Sequence, residues 1–157
     1  MKKISLLLFA ILLMFSCVKK GEDAIYLLPK DYTGTVIILY NQQKGEDKKY
    51  ENKKRVYQIP SNGILKTQFD VDYGRTMLPH FFYKDSDAKE QIPLVTEWKD
   101  YAENKVNVSM MSTGKSYKNV DGTSPIEFST FFVGTKNQIE IASKELEKIH
   151  IADLVDE

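Results

Sequence analysis

The fold is decided by Ile25-Tyr26-Leu27-Leu28-Pro29, the turn Lys30-Asp31-Tyr32-Thr33-Gly34, and then Thr35-Val36-Ile37-Ile38-Leu39-Tyr40. The first run is apolar and is stopped by a proline. The second is apolar and rich in β-branched residues, as suits a central strand with both faces covered. Two strands joined by a short polar turn predict a β domain from its first residues.

Reading outward, residues 41–54 hold five lysines, three acids and Gly45. They read as a long, exposed hairpin loop. Arg55-Val56-Tyr57-Gln58-Ile59 alternates and is closed by Pro60-Ser61-Asn62-Gly63, in which Asn and Gly tolerate the positive φ of a hairpin turn. Residues 64–69 are expected to return antiparallel to it. Further strands are expected at 76–83, 91–95, 106–111 and 126–133, with Pro79 and Pro93 confining theirs to edges or bulges. Polar stretches at 85–90, 99–105 and 119–124 connect them.

The period changes at the C-terminus. Thr135 and Gln138 fit a capping box. Ile139, Ala142, Leu146 and Ile149 fall on one helical face. The expected architecture is mainly β: an antiparallel β-sandwich over residues 25–157, with one C-terminal amphipathic helix at about 136–150.

The 157 residues hold 22 Lys+Arg and 22 Asp+Glu, a formal net charge of zero. That balance argues against a strongly basic nucleic-acid binder and an acidic disordered tail. A single cysteine excludes an internal disulfide framework and a cysteine-rich zinc module. One domain with one core fits the length.

Residues 1–16 are set apart from this domain. Lys2 and Lys3 precede an apolar run of about twelve residues, short of the ~20 needed to cross a bilayer, so a signal peptide is expected. Met14-Phe15-Ser16-Cys17 resembles the lipobox of bacterial lipoproteins, with Met14 where leucine is common and Phe15 where a small residue is. The resemblance implies cleavage before Cys17 and lipid on its thiol. Residues 17–24 then form a lipidated tether. Cleavage removes Lys2 and Lys3, leaving 141 residues with 20 basic and 22 acidic side chains. The expected location is the bacterial cell envelope, on the outer membrane, facing either the periplasm or the surface.

A wider resemblance rests on Tyr26-Leu27-Leu28-Pro29, Tyr32-x-Gly34-x-Val36-x-Ile38, Val56-Tyr57-x-Ile59-Pro60-x-x-Gly63 and Phe132-Val133-Gly134-Thr135. These residues resemble a family of small bacterial lipoproteins carrying a β-sandwich domain of unknown function. They also look like transthyretin-like and carboxypeptidase-regulatory-like sandwiches. The resemblance implies a sandwich and supplies no catalytic residues.

Candidate chemistry is sparse. His80, with Asp85 and Asp87 a few residues on, lacks a local nucleophile signature. His150 lies near the expected helix C-terminus, where the dipole favours it. Asp70-Val71-Asp72-Tyr73-Gly74 and Asp85-Ser86-Asp87 are the carboxylate spacings nearest to a calcium loop, yet neither places a glycine at the sixth and a glutamate at the twelfth position. No metal and no cofactor is expected. Trp98, Tyr101, Phe82 and Tyr83 are the aromatic candidates for a binding surface. Trp98 and Tyr101 sit among charged residues and read as the exposed pair.

The function expected is that of a membrane-anchored, non-enzymatic binding or accessory module. Its partners are the membrane, through Cys17, and an envelope protein or small molecule, with no nucleic acid. The rival readings are a periplasmic inhibitor or immunity-type lipoprotein, and a small envelope hydrolase using His80.

Overall fold

The computed structural model describes residues 20–155, apart from 75, 85–88, 110 and 119–122. The signal segment, Cys17, Asp85 and Asp87 lie outside these residues. Eleven strands are described: β1 (Ala24–Pro29), β2 (Gly34–Leu39), β3 (Lys49–Glu51), β4 (Lys54–Gln58), β5 (Ile64–Lys66), β6 (His80–Lys84), β7 (Lys89–Ile92), β8 (Leu94–Val95), β9 (Asn107–Ser109), β10 (Ser112–Tyr117) and β11 (Pro125–Gly134). Helix α1 (Lys136–Leu146) follows, with short 3-10 helices at Trp98–Asp100 and Ile151–Leu154.

They build two sheets, one ordered β3-β4-β1-β6-β7 and one ordered β5-β2-β11-β9-β8, with β10 also paired to β11. The mainly β sandwich with a C-terminal helix is therefore the observed fold. Its sheets are mixed, whereas antiparallel pairing was expected. β1 is parallel to both β4 and β6, β2 to β5, and β8 to β9. The reason is the path of the chain. β1, β2, β4, β5 and β6 alternate between the sheets, so strands that become neighbours are joined through the other layer, and the pair need not run antiparallel.

The turn at 60–63 shows this directly. It does not close a hairpin: β4 stays in the first sheet, while β5 crosses to pair with β2 in the second. The Ile37 amide donates to the Gly63 carbonyl at 2.9 Å, which ties the turn to the second sheet. Gly63 has φ +75°, and a Cβ there would lie 2.1 Å from the Tyr32 hydroxyl and 2.4 Å from the Thr35 carbonyl oxygen. No other residue fits that crossing.

Alternation along the strands sets three apolar layers. Tyr26, Leu28, Val36, Ile38, Tyr57, Phe81, Phe131 and Val133 meet between the sheets. Ile37 and Leu39 face the other way, against Ile126, Leu146 and Ile151, so β2 is covered on both faces as its composition implies. Ile25, Leu27 and Val56 form a smaller cluster with Phe82 on the outer side of the first sheet.

Other boundaries shift for local reasons. Residues 76–79 stay outside the strand that begins at His80. Pro93 divides 91–95 between β7 and β8, each an edge of a different sheet. The charged 41–54 segment is an exposed loop followed by β3, which turns into β4 through Asn52 and Lys53, both at positive φ. Helix α1 starts on the expected capping box and ends at Leu146. Lys148 and Ile149 then donate to the carbonyls of Glu145 and Leu146, the tighter i−3 pattern that lets the chain fold back and bury Ile151.

Candidate functional site

A cavity of about 230 Å3 lies between the sheets near the start of β1. Its walls follow from strand alternation and register. Tyr26 points inward from β1, and the parallel pairing places Tyr57 of β4 and Phe81 of β6 directly beside it. The three rings stack, with Tyr26 4.8 Å from Tyr57 and 4.9 Å from Phe81 between centroids. Tyr40, just after β2, meets Tyr57 edge-on at 6.4 Å.

Arg55 precedes Tyr57 by two residues, so it shares the inward face. Its side chain is only 7% exposed, which makes its partners decisive. Nε donates to Glu22 at 2.6 Å, and Nη1 donates to the Asp70 carbonyl oxygen at 2.5 Å. Nη2 lies 3.8 Å from the Asp70 carboxylate and 4.0 Å from that of Asp72. The guanidinium also sits 4.9 Å from the Phe69 ring centroid. A buried cation is thus held by two carboxylates at the wall, a third nearby and one ring face.

The hydroxyls are placed by the second sheet. Tyr40 donates to Ser129 Oγ at 3.1 Å, and Ser129 shares a hydrogen bond of 2.8 Å with Thr113. Tyr26 directs its hydroxyl at Met111 Sδ, 3.7 Å away. Burial pushes the pKa values of Tyr26, Tyr40 and Tyr57 above the usual tyrosine value. Burial alone lowers the pKa of Arg55, but hydrogen bonds to Tyr57 and Glu22 outweigh it and raise the value overall. All four side chains therefore stay protonated near neutral pH and act as hydrogen-bond donors.

The expected site residues fall elsewhere and apart. Trp98 and Tyr101 do meet, at 5.2 Å, with Lys136 Nζ 5.4 Å from the Trp98 ring centroid. Trp98 is half-exposed, but Tyr101 is buried because its hydroxyl reaches the Val95 carbonyl at 3.0 Å. Phe82 and Tyr83 are consecutive on β6 and so face opposite sides: Phe82 joins the outer cluster, and Tyr83 is buried with its hydroxyl donating to Tyr32 O. Those four residues form no single surface. His80 stacks near Phe82 at 6.3 Å, away from the cavity. His150 lies past the end of α1, where its carbonyl accepts from Asp153. Among the described residues no group of three or more His, Cys, Asp or Glu is arranged to hold a metal.

Asp72 joins two segments of the chain. Its carboxylate accepts from the amides of Glu22 and Gly74, at 2.5 and 2.8 Å, and so clasps the segment before β1 to the loop before β6. Arg55, Tyr26, Tyr40, Tyr57 and Glu22 were not singled out from the sequence. The available signal was the Arg-x-Tyr alternation on β4; the parallel register that assembles the rings left no trace in it.

The sequence family described as "Family of unknown function (DUF6843)" matches residues 20–142. No curated protein matches the chain. A crystal structure titled "Putative Lipoprotein from Bacillus anthracis" superposes with a TM-score of 0.55 over 80% of this chain and 90% of that one, at 20% identity. At that identity the likeness is one of fold.

Proposed function

This chain belongs to DUF6843, a family of unknown function, and from that premise we propose that it is an envelope lipoprotein held by lipid on Cys17, whose sandwich domain is a non-enzymatic binding module. The observation that carries the binding role is the cavity lined by Tyr26, Tyr40, Tyr57 and Arg55. Tyr26 and Tyr40 direct their hydroxyl protons at Met111 and Ser129, while the Tyr57 hydroxyl meets the Arg55 cation through its oxygen and so keeps its proton for an acceptor oxygen of a ligand. At about 230 Å3 it is smaller than the ~300–1,000 Å3 typical of drug-sized ligands, so its occupant is a small polar molecule or one end of a longer one.

The anchor is supported by the Met14-Phe15-Ser16-Cys17 sequence and by an apolar run too short to span a bilayer. The lipoprotein name of the Bacillus anthracis protein agrees with it. The outer membrane is the membrane this reading assigns. The transthyretin-like appearance rests on Gly34-x-Val36 following its turn and brings no activity with it.

Two measurements test the proposal. Cys17→Ala in the full chain should move the protein from the membrane to the soluble fraction; a variant that stays with membranes removes the lipid anchor. Native mass spectrometry of protein released from its own envelope should show a bound small molecule that is lost from the Tyr40→Phe, Tyr57→Phe double variant. A wild-type protein without that bound mass ends the small-molecule reading, and a stoichiometric protein cross-linked in the envelope would replace it with an accessory role.

A further inference from the structure

Tyr73, Met77 and Leu78 are 67%, 71% and 66% exposed, the highest values among the described large apolar residues. They lie within six residues of one another, in the loop before β6. Exposed apolar side chains scattered singly are ordinary, whereas these three are concentrated in one loop.

The same loop is fastened to the segment that leads out of the domain toward Cys17. Asp72 accepts from the amides of Glu22 and Gly74. The Met77 amide donates to Asp23 Oδ1 at 3.0 Å. Gly74 packs so closely on Gly21 that a Cβ would lie 2.4 Å from the Gly21 nitrogen. Arg55 adds its ion pair to Glu22. These contacts tie Asp72, Gly74 and Met77 to the start of the domain.

Only Val18 and Lys19 separate Cys17 from Lys20, so the three steps between them span at most about 11 Å even when fully extended. We infer that the loop carrying Tyr73, Met77 and Leu78 rests on the lipid surface, as a second contact beside the Cys17 anchor. The inference builds on the lipid-anchor reading above. A short tether leaves the loop next to the headgroups, where methionine and leucine can enter the apolar boundary and a tyrosine ring suits the interface. The Tyr73 hydroxyl is held by Glu127 at 2.8 Å, so the ring is presented from a fixed position. Thr76, Met77, Leu78 and Pro79 also line the cavity, so the surface that meets lipid is continuous with the binding site.

The test uses the full lipidated chain in vesicles of phosphatidylethanolamine and phosphatidylglycerol. Cys17 is the sole cysteine in the sequence and on the lipid-anchor reading its thiol carries lipid, so Met77→Cys supplies one free thiol for an environment-sensitive fluorophore. Ser61→Cys, in the turn at the opposite end of the strands, is the reference. The label at 77 should emit to the blue of the label at 61 and be quenched by brominated acyl chains, while the label at 61 is not. Equal, water-like emission at both positions in protein that floats with the vesicles overturns the contact and leaves the anchor standing. A blue shift without bromine quenching overturns it, since the label then lies in the neighbouring cavity or against a protein and not in lipid. Protein that fails to float removes the anchor and the inference together.

Discussion

Arg55 is the residue on which the site depends. Its cation is taken out of water and then satisfied by Glu22, the Asp70 carbonyl and the Phe69 ring. Removing one partner of such a set leaves the others without theirs, and hydrogen bonds to charged groups are the costly ones to lose. Arg55→Met keeps much of the volume and discards the charge. It should destabilise the fold by about 2 kcal/mol, a value moderated by the partial exposure of Glu22. Urea unfolding would report it as a lower midpoint at unchanged slope; an unchanged midpoint would mean that the ion pair contributes nothing net. Arg55→Lys keeps the charge but cannot reach Glu22 and the Asp70 carbonyl at once, so it should restore only part of the loss. The alternation of β4 made the inward direction of Arg55 readable from sequence. Its partners were not readable, because Glu22 and Asp70 come from segments 33 and 15 residues away.

At the scale of elements, local signals worked where the interaction is local. The capping box of α1 joins residues three apart: the Gln138 amide donates to Thr135 Oγ1, and the Thr135 amide donates to Gln138 Oε1 at 2.9 Å. Thr135→Ala should cost about 1 kcal/mol. The loss would appear as a lower thermal midpoint, and an unchanged midpoint would show that α1 is held by packing on β2 and β11 alone. β2 was legible for the same reason, since an apolar run implies two covered faces wherever its neighbours come from. β10 leaves no signature in the sequence, since Ser112-Thr113-Gly114-Lys115-Ser116-Tyr117 carries no apolar alternation; it is a strand because β11 offers it a free edge. β5 pairs with β2 and not with β4, because the Asn62-Gly63 turn specifies a reversal without specifying which sheet receives the next strand.

At the scale of the whole molecule, the buried tyrosines couple stability to alkaline pH. Burial raises the pKa values of Tyr26, Tyr40 and Tyr57 above the unfolded value of about 10. Above that pH the unfolded chain gives up protons that the folded chain keeps, so stability is intact below about pH 10 and falls as pH rises further. Tyr57→Phe should make the fall shallower when unfolding free energy is followed between pH 9 and 12; an identical slope would show that Tyr57 does not contribute. The sequence by itself determined the mainly β class, the strands of the central layers, the capped C-terminal helix and the expectation of a lipid anchor. Each rests on periodicity or on short spacing along the chain. Only the tertiary structure decided the mixed pairing, the cavity, the clasp of residues 21–23 by Asp72, Gly74 and Met77, and the separation of the expected aromatic candidates. Those depend on which strand lies beside which, and that is settled by packing between layers, where contacts join residues far apart in the chain.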